Sequence, residues 1–169
     1  MTKFSSEFAS NRHQDLKDIT CATGLRRSEL EKLRVRDIHD YGDTIQIDVL
    51  GGKGGKDRIV TADKDYYDRI RSMISGADSD MRVCNLLDGG VVDREAHVPK
   101  RAPMHAWRRE FAQAMYARIA RETDMLSEKE LYRCKADMYG CIYDREALKA
   151  VSEQLGHARI NVIAEHYMR

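Results

Sequence analysis

Residues 22–30, with the sequence ATGLRRSEL, constrain the fold of this chain more than any other stretch. Gly24 is the residue type that most often ends a helix, so the stretch predicts a helix, a tight turn and a second helix over residues 27–33. Ser28, near the start of that second helix, is expected to cap a free amide. Leu25, Leu30 and Leu33 are spaced to share one buried face.

Arg26 follows this turn and lies near the start of the second helix. The helix macrodipole favours an anion at that end, so a cation there is unexpected on electrostatic grounds alone. Backbone amides and a guanidinium that point to the same place can share one anion, and phosphate is the natural candidate. The stretch therefore indicates a phosphate-binding position.

The rest of the chain predicts more helix than sheet. The helices expected from apolar spacing and capping signals cover residues 5–22, 27–33, 63–74, 104–121, 144–155 and 160–167. Alternation of Ile45, Ile47 and Val49 with polar residues predicts a half-buried strand. A glycine-rich tip at 51–56 then leads to a return strand at 58–60. The expected fold class is α+β, mostly helical, with a small antiparallel sheet.

Composition excludes some classes of protein and leaves others open. Lys and Arg number 29 against 28 Asp and Glu, so the net charge is only +1, although basic residues cluster around residues 26–36 and 100–109. A local basic face is enough for binding DNA. The four cysteines lack metal-site spacing and are expected to be reduced thiols. Without a signal peptide or a long apolar run, we expect a soluble, cytoplasmic protein with no membrane partner.

Four motifs and one tyrosine follow in a fixed order. They are TGLR at 23–26, GGKGGKDRIV at 51–60, HAWRR at 105–109, LGH at 155–157 and Tyr167. This order resembles the catalytic domain of the tyrosine recombinases, the phage-integrase family, from about residue 14 to residue 168. The resemblance implies that family's fold and six catalytic residues: Arg26, Lys53, His105, Arg108, His157 and Tyr167.

The roles implied by the resemblance agree with phosphodiester chemistry that uses no metal and no cofactor. Arg26 and Arg108 would clamp the non-bridging oxygens, because guanidinium forks match phosphate geometry and stay charged. Tyr167 would be the nucleophile, forming a 3′-phosphotyrosine and releasing a 5′-hydroxyl.

The resemblance also implies which residues accept and donate protons. A phenol has a pKa near ~10, so Tyr167 needs a proton acceptor, for which His105 is the candidate. Lys53 would protonate the leaving 5′-oxygen, with Lys56 a competing candidate three positions later. His157 would donate a hydrogen bond to the phosphate.

The chain departs from the family pattern at three places. Arg109 stands where the second box usually ends in histidine, and it adds charge beside the phosphate. His157 lies 52 positions after His105, a longer interval than is usual, with the extra length at 122–146. Within that segment we expect a polar connection at 124–130 and an apolar stripe formed by Tyr132, Tyr139 and Tyr143. Tyr167 follows His157 by ten positions instead of the commoner nine, which leaves the adjacent His166 as an alternative attacking group.

The expected function is site-specific DNA recombination or integration, as in phages and other mobile elements. Double-stranded DNA is the expected partner, contacted also by Arg27, Lys56 and Arg109. The alternatives are a recombinase-like DNA-binding module without turnover and a type IB topoisomerase, which shares the chemistry.

Residues 1–169 are expected to be one catalytic domain, lacking the N-terminal core-binding domain and the C-terminal tail that the family usually carries. We therefore expect a monomer in solution. A full-length protein would form a tetramer on DNA.

Overall fold

The computed structural model describes residues 13–90 and 97–169. Its helices are α1 (Gln14–Thr23), α2 (Arg27–Lys32), α3 (Tyr67–Ile74), α4 (Met104–Ile119), α5 (Arg145–Gln154) and α6 (Ile160–His166). Its strands are β1 (Ile38–Asp40), β2 (Ile45–Val49), β3 (Arg58–Thr61), β4 (Leu131–Arg133) and β5 (Ile142–Asp144). The α+β class with mostly helical content is confirmed. The part of the first predicted helix at 5–12 lies outside the described residues.

The turn between α1 and α2 forms as the sequence predicts. Gly24 has a left-handed φ of 63°, and its N–H donates to Thr20 O at 2.8 Å. Leu25 and Leu30 are fully buried, and Leu33 is 3% exposed. The expected cap from Ser28 is wrong, because the helix begins one residue before it and its side chain is exposed.

Glu29 does the capping instead. Its carboxylate accepts the backbone N–H of Arg26 at 2.8 Å.

A three-stranded antiparallel sheet in the order β1-β2-β3 packs against these helices. Ile47 lies opposite Ile38 on one side and Val60 on the other, and all three are buried. At the hairpin tip, Gly52 N donates to Lys56 O at 3.0 Å. The β2-β3 hairpin is confirmed, whereas β1 has only three residues, too few to produce a recognisable alternation.

The segment 122–146, for which the sequence predicted a polar connection at 124–130 and otherwise only extra length, contains a second hairpin formed by β4 and β5. Tyr132 and Tyr143 are cross-strand partners and pack against the core. Tyr139, expected to join them in an apolar stripe, is 88% exposed. Chain reversal at Ala136 and Gly140, both at positive φ, places Tyr139 at the turn and away from the core.

Asp144 connects this second hairpin to α5. Its carboxylate caps the helix by accepting Glu146 N at 3.0 Å, and it also receives Arg121 Nε at 2.8 Å. The hydrogen bond from Arg121 holds the pKa of Asp144 well below its usual range. A charged cap at the N-terminus of α5 also matches the helix macrodipole.

The core consists of two clusters that meet at Gly24. One cluster packs α1, α2, α3 and the three-stranded sheet together, and the other packs α4, α5, α6 and the second hairpin. A Cβ added at Gly24 would lie 2.5 Å from the Phe111 ring and 2.7 Å from Leu155. Only a residue without a side chain allows the clusters to approach this closely. Among the described residues, none of the helices combines the length and apolarity of a membrane span.

We expect Gly24→Ala to destabilise the fold more than Gly42→Ala, by about 1–3 kcal/mol, because it adds overpacking to backbone strain. Gly42 has the same sign of φ, at 89°, but open space around its Cα. Urea unfolding of both variants measures the difference. Equal losses would show that Gly24 is required for its backbone conformation and not for close packing.

Candidate active site

A cationic cleft of about 730 Å³ opens between the hairpin tip, the start of α2 and the turn before α6. The Gly156–His157 turn lines the cleft together with two carboxylates, Asp57 and Glu153, and five cationic side chains: Arg26, Lys53, Lys56, Arg58 and Arg159. Three distant parts of the chain supply these groups. The cleft therefore exists only in the folded protein.

Arg26 is fixed from two directions. Its Nη2 donates to the carbonyl of Gly156 at 3.1 Å, and its Nη1 donates to Glu29 at 3.0 Å. Gly156 has a φ of +67°, and a Cβ there would lie 3.1 Å from Arg26 Nη1. Since a guanidinium carries five N–H donors, these two contacts leave others for a ligand in the cleft.

Glu29 and Arg58 are site residues that the sequence did not single out. Arg58 donates to both carboxylate oxygens of Glu29, at 2.7 and 2.9 Å. Burial acts to raise the pKa of Glu29, but the hydrogen bonds from Arg58 and from the Arg26 backbone outweigh it and lower the pKa to about 2. The sequence signal was weak: a Glu at the third position of a helix and an Arg in a strand.

Arg108 is 7% exposed and lies between the two halves of the core. It donates to Gly24 O at 2.8 Å and to Leu155 O at 3.1 Å. Burial, with further repulsion from Arg26, lowers the pKa of Arg108 to about 10, so the group stays charged at neutral pH. Its guanidinium carbon lies 5.6 Å from the centroid of the Tyr167 ring.

Tyr167 is 3% exposed, and its hydroxyl lies 3.2 Å from His157 Nε2. His105 faces the same ring, with centroids 5.0 Å apart. His157 lines the cleft and contacts the tyrosine hydroxyl, so it connects the buried hydroxyl with the cleft. The ten-position interval after His157 therefore brings Tyr167, and not His166, to the imidazole.

Both histidines favour the neutral form. Burial, followed by the charges of Arg26 and Arg108, lowers the pKa of His157 to about 4. Burial and the neighbouring Arg109 and Arg108 also lower the pKa of His105. A neutral imidazole can accept a proton, and His157 is the one in hydrogen-bond contact with the hydroxyl.

The remaining residues expected from the sequence lie in three different environments. Lys53 and Lys56 are both exposed at the hairpin tip and line the cleft. Arg27 donates to the carbonyls of Val98 and Pro99, at 2.5 and 2.6 Å, which attaches the segment before α4 to the start of α2. Arg109 is half-buried and close enough to His105 to affect its pKa.

No family model and no curated protein sequence matches the chain. Solved structures do match. The XerH site-specific recombinase, in its post-cleavage complex with palindromic difH substrate, aligns over 90% of this chain at 18% identity with a TM-score of 0.50. The Tn1549 transposon integrase, in complex with transposon right end DNA, aligns over 95% at 16% identity with the same TM-score.

This chain has the tyrosine-recombinase catalytic fold. It spans 40% of the XerH chain and 55% of the integrase chain.

Within the tyrosine-recombinase fold, one cluster unites Arg108, His105, His157 and Tyr167, and Arg26 joins it through Gly156. Lys53 approaches from the hairpin tip. All six residues expected from the sequence to be catalytic therefore lie around one region, although they come from positions spread over most of the chain.

Neutral His157 makes stability depend on pH. The unfolded histidine has a pKa near ~6.5, whereas the folded value is about 4. Between these values the unfolded state binds more protons, so stability is full above about pH 6.5 and falls as pH drops towards 4. We expect a loss of about 1–2 kcal/mol between pH 7 and pH 5, measured by urea unfolding.

Two variants isolate this effect. His157→Gln should make the pH profile shallower, and the remaining slope comes from His105, whose pKa is also lowered. Tyr167→Phe should keep the full slope, because burial and the arginines, not the phenol, depress the pKa of His157. An unchanged pH slope in His157→Gln would contradict the assignment.

Proposed function

We propose that this chain is the catalytic part of a site-specific recombinase that cleaves and rejoins DNA through Tyr167. This proposal depends on one observation. The buried hydroxyl of Tyr167 is hydrogen-bonded to neutral His157, and the tyrosine lies next to Arg108 and beside the cationic cleft. A phenol held by a base and lying beside a guanidinium suits attack on a phosphodiester. The fold agrees with this function, since both matching proteins are DNA complexes by description.

In the proposed reaction, Arg26 and Arg108 bind the non-bridging oxygens of the scissile phosphate. Each is oriented by backbone carbonyls, so little reorganisation is needed when charge develops on the phosphate. The bond from Tyr167 oxygen to phosphorus forms as the bond from phosphorus to the 5′-oxygen breaks. The resulting 3′-phosphotyrosine conserves the bond energy, so a second 5′-hydroxyl can reverse the step without ATP.

We assign acceptance of the Tyr167 proton to His157, because its Nε2 lies 3.2 Å from the hydroxyl. The protonated imidazole then donates a hydrogen bond to the phosphate. His105, the acceptor expected from the sequence, lies against the Tyr167 ring, with centroids 5.0 Å apart, and is the alternative acceptor. Lys53 protonates the leaving 5′-oxygen. Lys56 and Arg109 are assigned to DNA contact. Arg27, also expected from the sequence to contact DNA, instead uses its guanidinium to hold the carbonyls of Val98 and Pro99. The proposed mechanism needs no metal and no cofactor.

Double-stranded DNA is the proposed partner, and the proposed assembly in the full-length protein is a tetramer on DNA. The alternative is a DNA-binding module without turnover. One observation favours it: Tyr167 is only 3% exposed, so a phosphate must displace packing or reach the hydroxyl past His157. Covalent trapping separates the two.

The decisive experiment uses a pool of nicked duplexes randomised around the scissile position. Cleavage near the nick releases a short fragment and leaves the protein covalently attached to DNA. We expect the wild-type chain to give an adduct that survives denaturant, and Tyr167→Phe to give none. Tyr139→Phe is the matched control, since Tyr139 is 88% exposed at the β4-β5 turn and should react normally.

The chemical stability of the adduct identifies the attacking atom. A phosphotyrosine bond survives mild acid, whereas a phosphohistidine bond does not, so acid treatment distinguishes Tyr167 from His166. DNA binding without any adduct from the pool would favour the binding module.

The roles of Lys53 and Lys56 can be told apart by changing the leaving group of the DNA substrate from oxygen to sulfur. We expect Lys53→Ala to slow cleavage of a selected duplex by about 10²–10⁴-fold, the usual contribution of a general acid. Replacing the 5′-bridging oxygen with sulfur should restore the rate, because a thiolate leaves without a proton. Lys56→Ala should lose DNA affinity in a salt-dependent way and gain nothing from sulfur. If sulfur restored cleavage by Lys56→Ala and not by Lys53→Ala, Lys56 would be the proton donor and Lys53 the DNA contact.

A further inference from the structure

Arg58 has no part in the proposed reaction, yet it makes more directed contacts than Arg26 does. Its Nη1 and Nη2 donate to Glu29 at 2.7 and 2.9 Å, and its Nε donates to Gln154 O at 2.9 Å. Every nitrogen of the guanidinium therefore has an acceptor within the protein. This differs from Arg26, whose contacts in the same cleft use Nη1 and Nη2 once each.

The position of Arg58 is set independently of Arg26. β3 carries Arg58, and the Gln154 side chain binds the edge of the same strand by accepting Thr61 N–H at 2.8 Å. A Cβ at Gly156 would lie 3.0 Å from the guanidinium carbon of Arg58. Strand β3 and the end of α5 therefore determine where this charge lies.

Glu29 is the acceptor that both arginines share. Its side chain is 3% exposed, and it receives the bidentate pair from Arg58 as well as the Arg26 backbone N–H and Nη1. A buried carboxylate that lost Arg58 would carry an uncompensated charge, which is strongly unfavourable. Among the described residues, the other cation paired with Glu29 is Arg26, at 3.0 Å, and a fork-to-fork pair with Glu29 would consume N–H groups that a ligand in the cleft could use.

We propose that Arg58 is a positioning residue: by occupying the Glu29 carboxylate, it leaves Arg26 free to bind a phosphate. This rests on the proposed role of Arg26 as a phosphate clamp. Arg58 then acts through Glu29 and does not itself touch the DNA, although its side chain lines the cleft.

The test compares Arg58→Gln, Glu29→Gln and the double variant. We expect Arg58→Gln to slow covalent adduct formation by up to about 10²-fold, because Arg26 turns towards Glu29. The double variant removes one charge of each sign, so the net charge of the cleft is unchanged and no buried carboxylate is left. It should react within about tenfold of the wild type.

Arg71→Gln is the matched control, because it also removes a bidentate arginine–carboxylate pair, with Asp40 at 2.7 and 3.0 Å, away from the cleft. It should react as the wild type does. A double variant as slow as Arg58→Gln would overturn the proposal and assign Arg58 a direct contact with phosphate. If Arg58→Gln does not fold, the double variant against the wild type gives the same decision.

A binding measurement separates this inference from the proposed reaction. Inorganic phosphate is titrated into each variant while the Arg26 Nε–H signal is followed by NMR. Phosphate should perturb that signal in the wild type and the double variant and at least tenfold more weakly in Arg58→Gln. If the three proteins show this pattern of phosphate binding but the wild type forms no adduct, strand cleavage is refuted and Arg58 is still supported as a positioning residue. Equal phosphate affinity in Arg58→Gln and the wild type refutes the positioning role.

Discussion

Two glycine turns, joined by arginine side chains, hold the site together. Arg108 donates to Gly24 O and Leu155 O, and Arg26 donates to Gly156 O, so the guanidiniums bridge the end of α1 to the end of α5. Both Gly24 and Gly156 have a positive φ. Those turns direct backbone carbonyls at the arginines. The same bonds thus determine the packing of the two core clusters and the orientation of the candidate phosphate ligands.

Placing several cations around one cleft is electrostatically unfavourable, and three features of the fold reduce or accommodate the repulsion. Glu29 balances part of the charge by pairing with Arg58 and Arg26. His157 gives up its proton, so that it adds no further charge. Arg108 keeps its charge but has its pKa lowered by burial. A bound phosphate would relieve the remaining repulsion, which agrees with the proposed function.

The β2-β3 hairpin combines a fixed base with an exposed tip. Arg58 and Thr61 attach the base to α5 through Gln154, while Lys53 and Lys56 lie on the solvent side of the cleft. A lysine on such a tip can approach a ligand from solvent without disturbing the arginines behind it. This division suits a proton donor that acts only once DNA is bound.

Local patterns predicted the parts of the fold whose signals lie within a few residues. Apolar spacing and Gly24 placed the α1-turn-α2 unit, and alternation placed the β2-β3 hairpin. The β4-β5 hairpin was missed because each strand has three residues, too few for a periodic signal. Tyr139 was misjudged because proximity in sequence to Tyr132 and Tyr143 does not determine which side of a turn it occupies.

By itself, the sequence determined which residue types carry the candidate chemistry, because four short motifs and Tyr167 occur in a fixed order. Only the tertiary structure decided which groups meet. The Glu29–Arg58 pair joins positions 29 apart, and the contact of Tyr167 with His157 depends on how α6 packs. Such pairings arise from packing between elements and from burial, which changes the charge state of a histidine. Neither the packing between elements nor the burial of a side chain can be obtained from the spacing of residues along a chain.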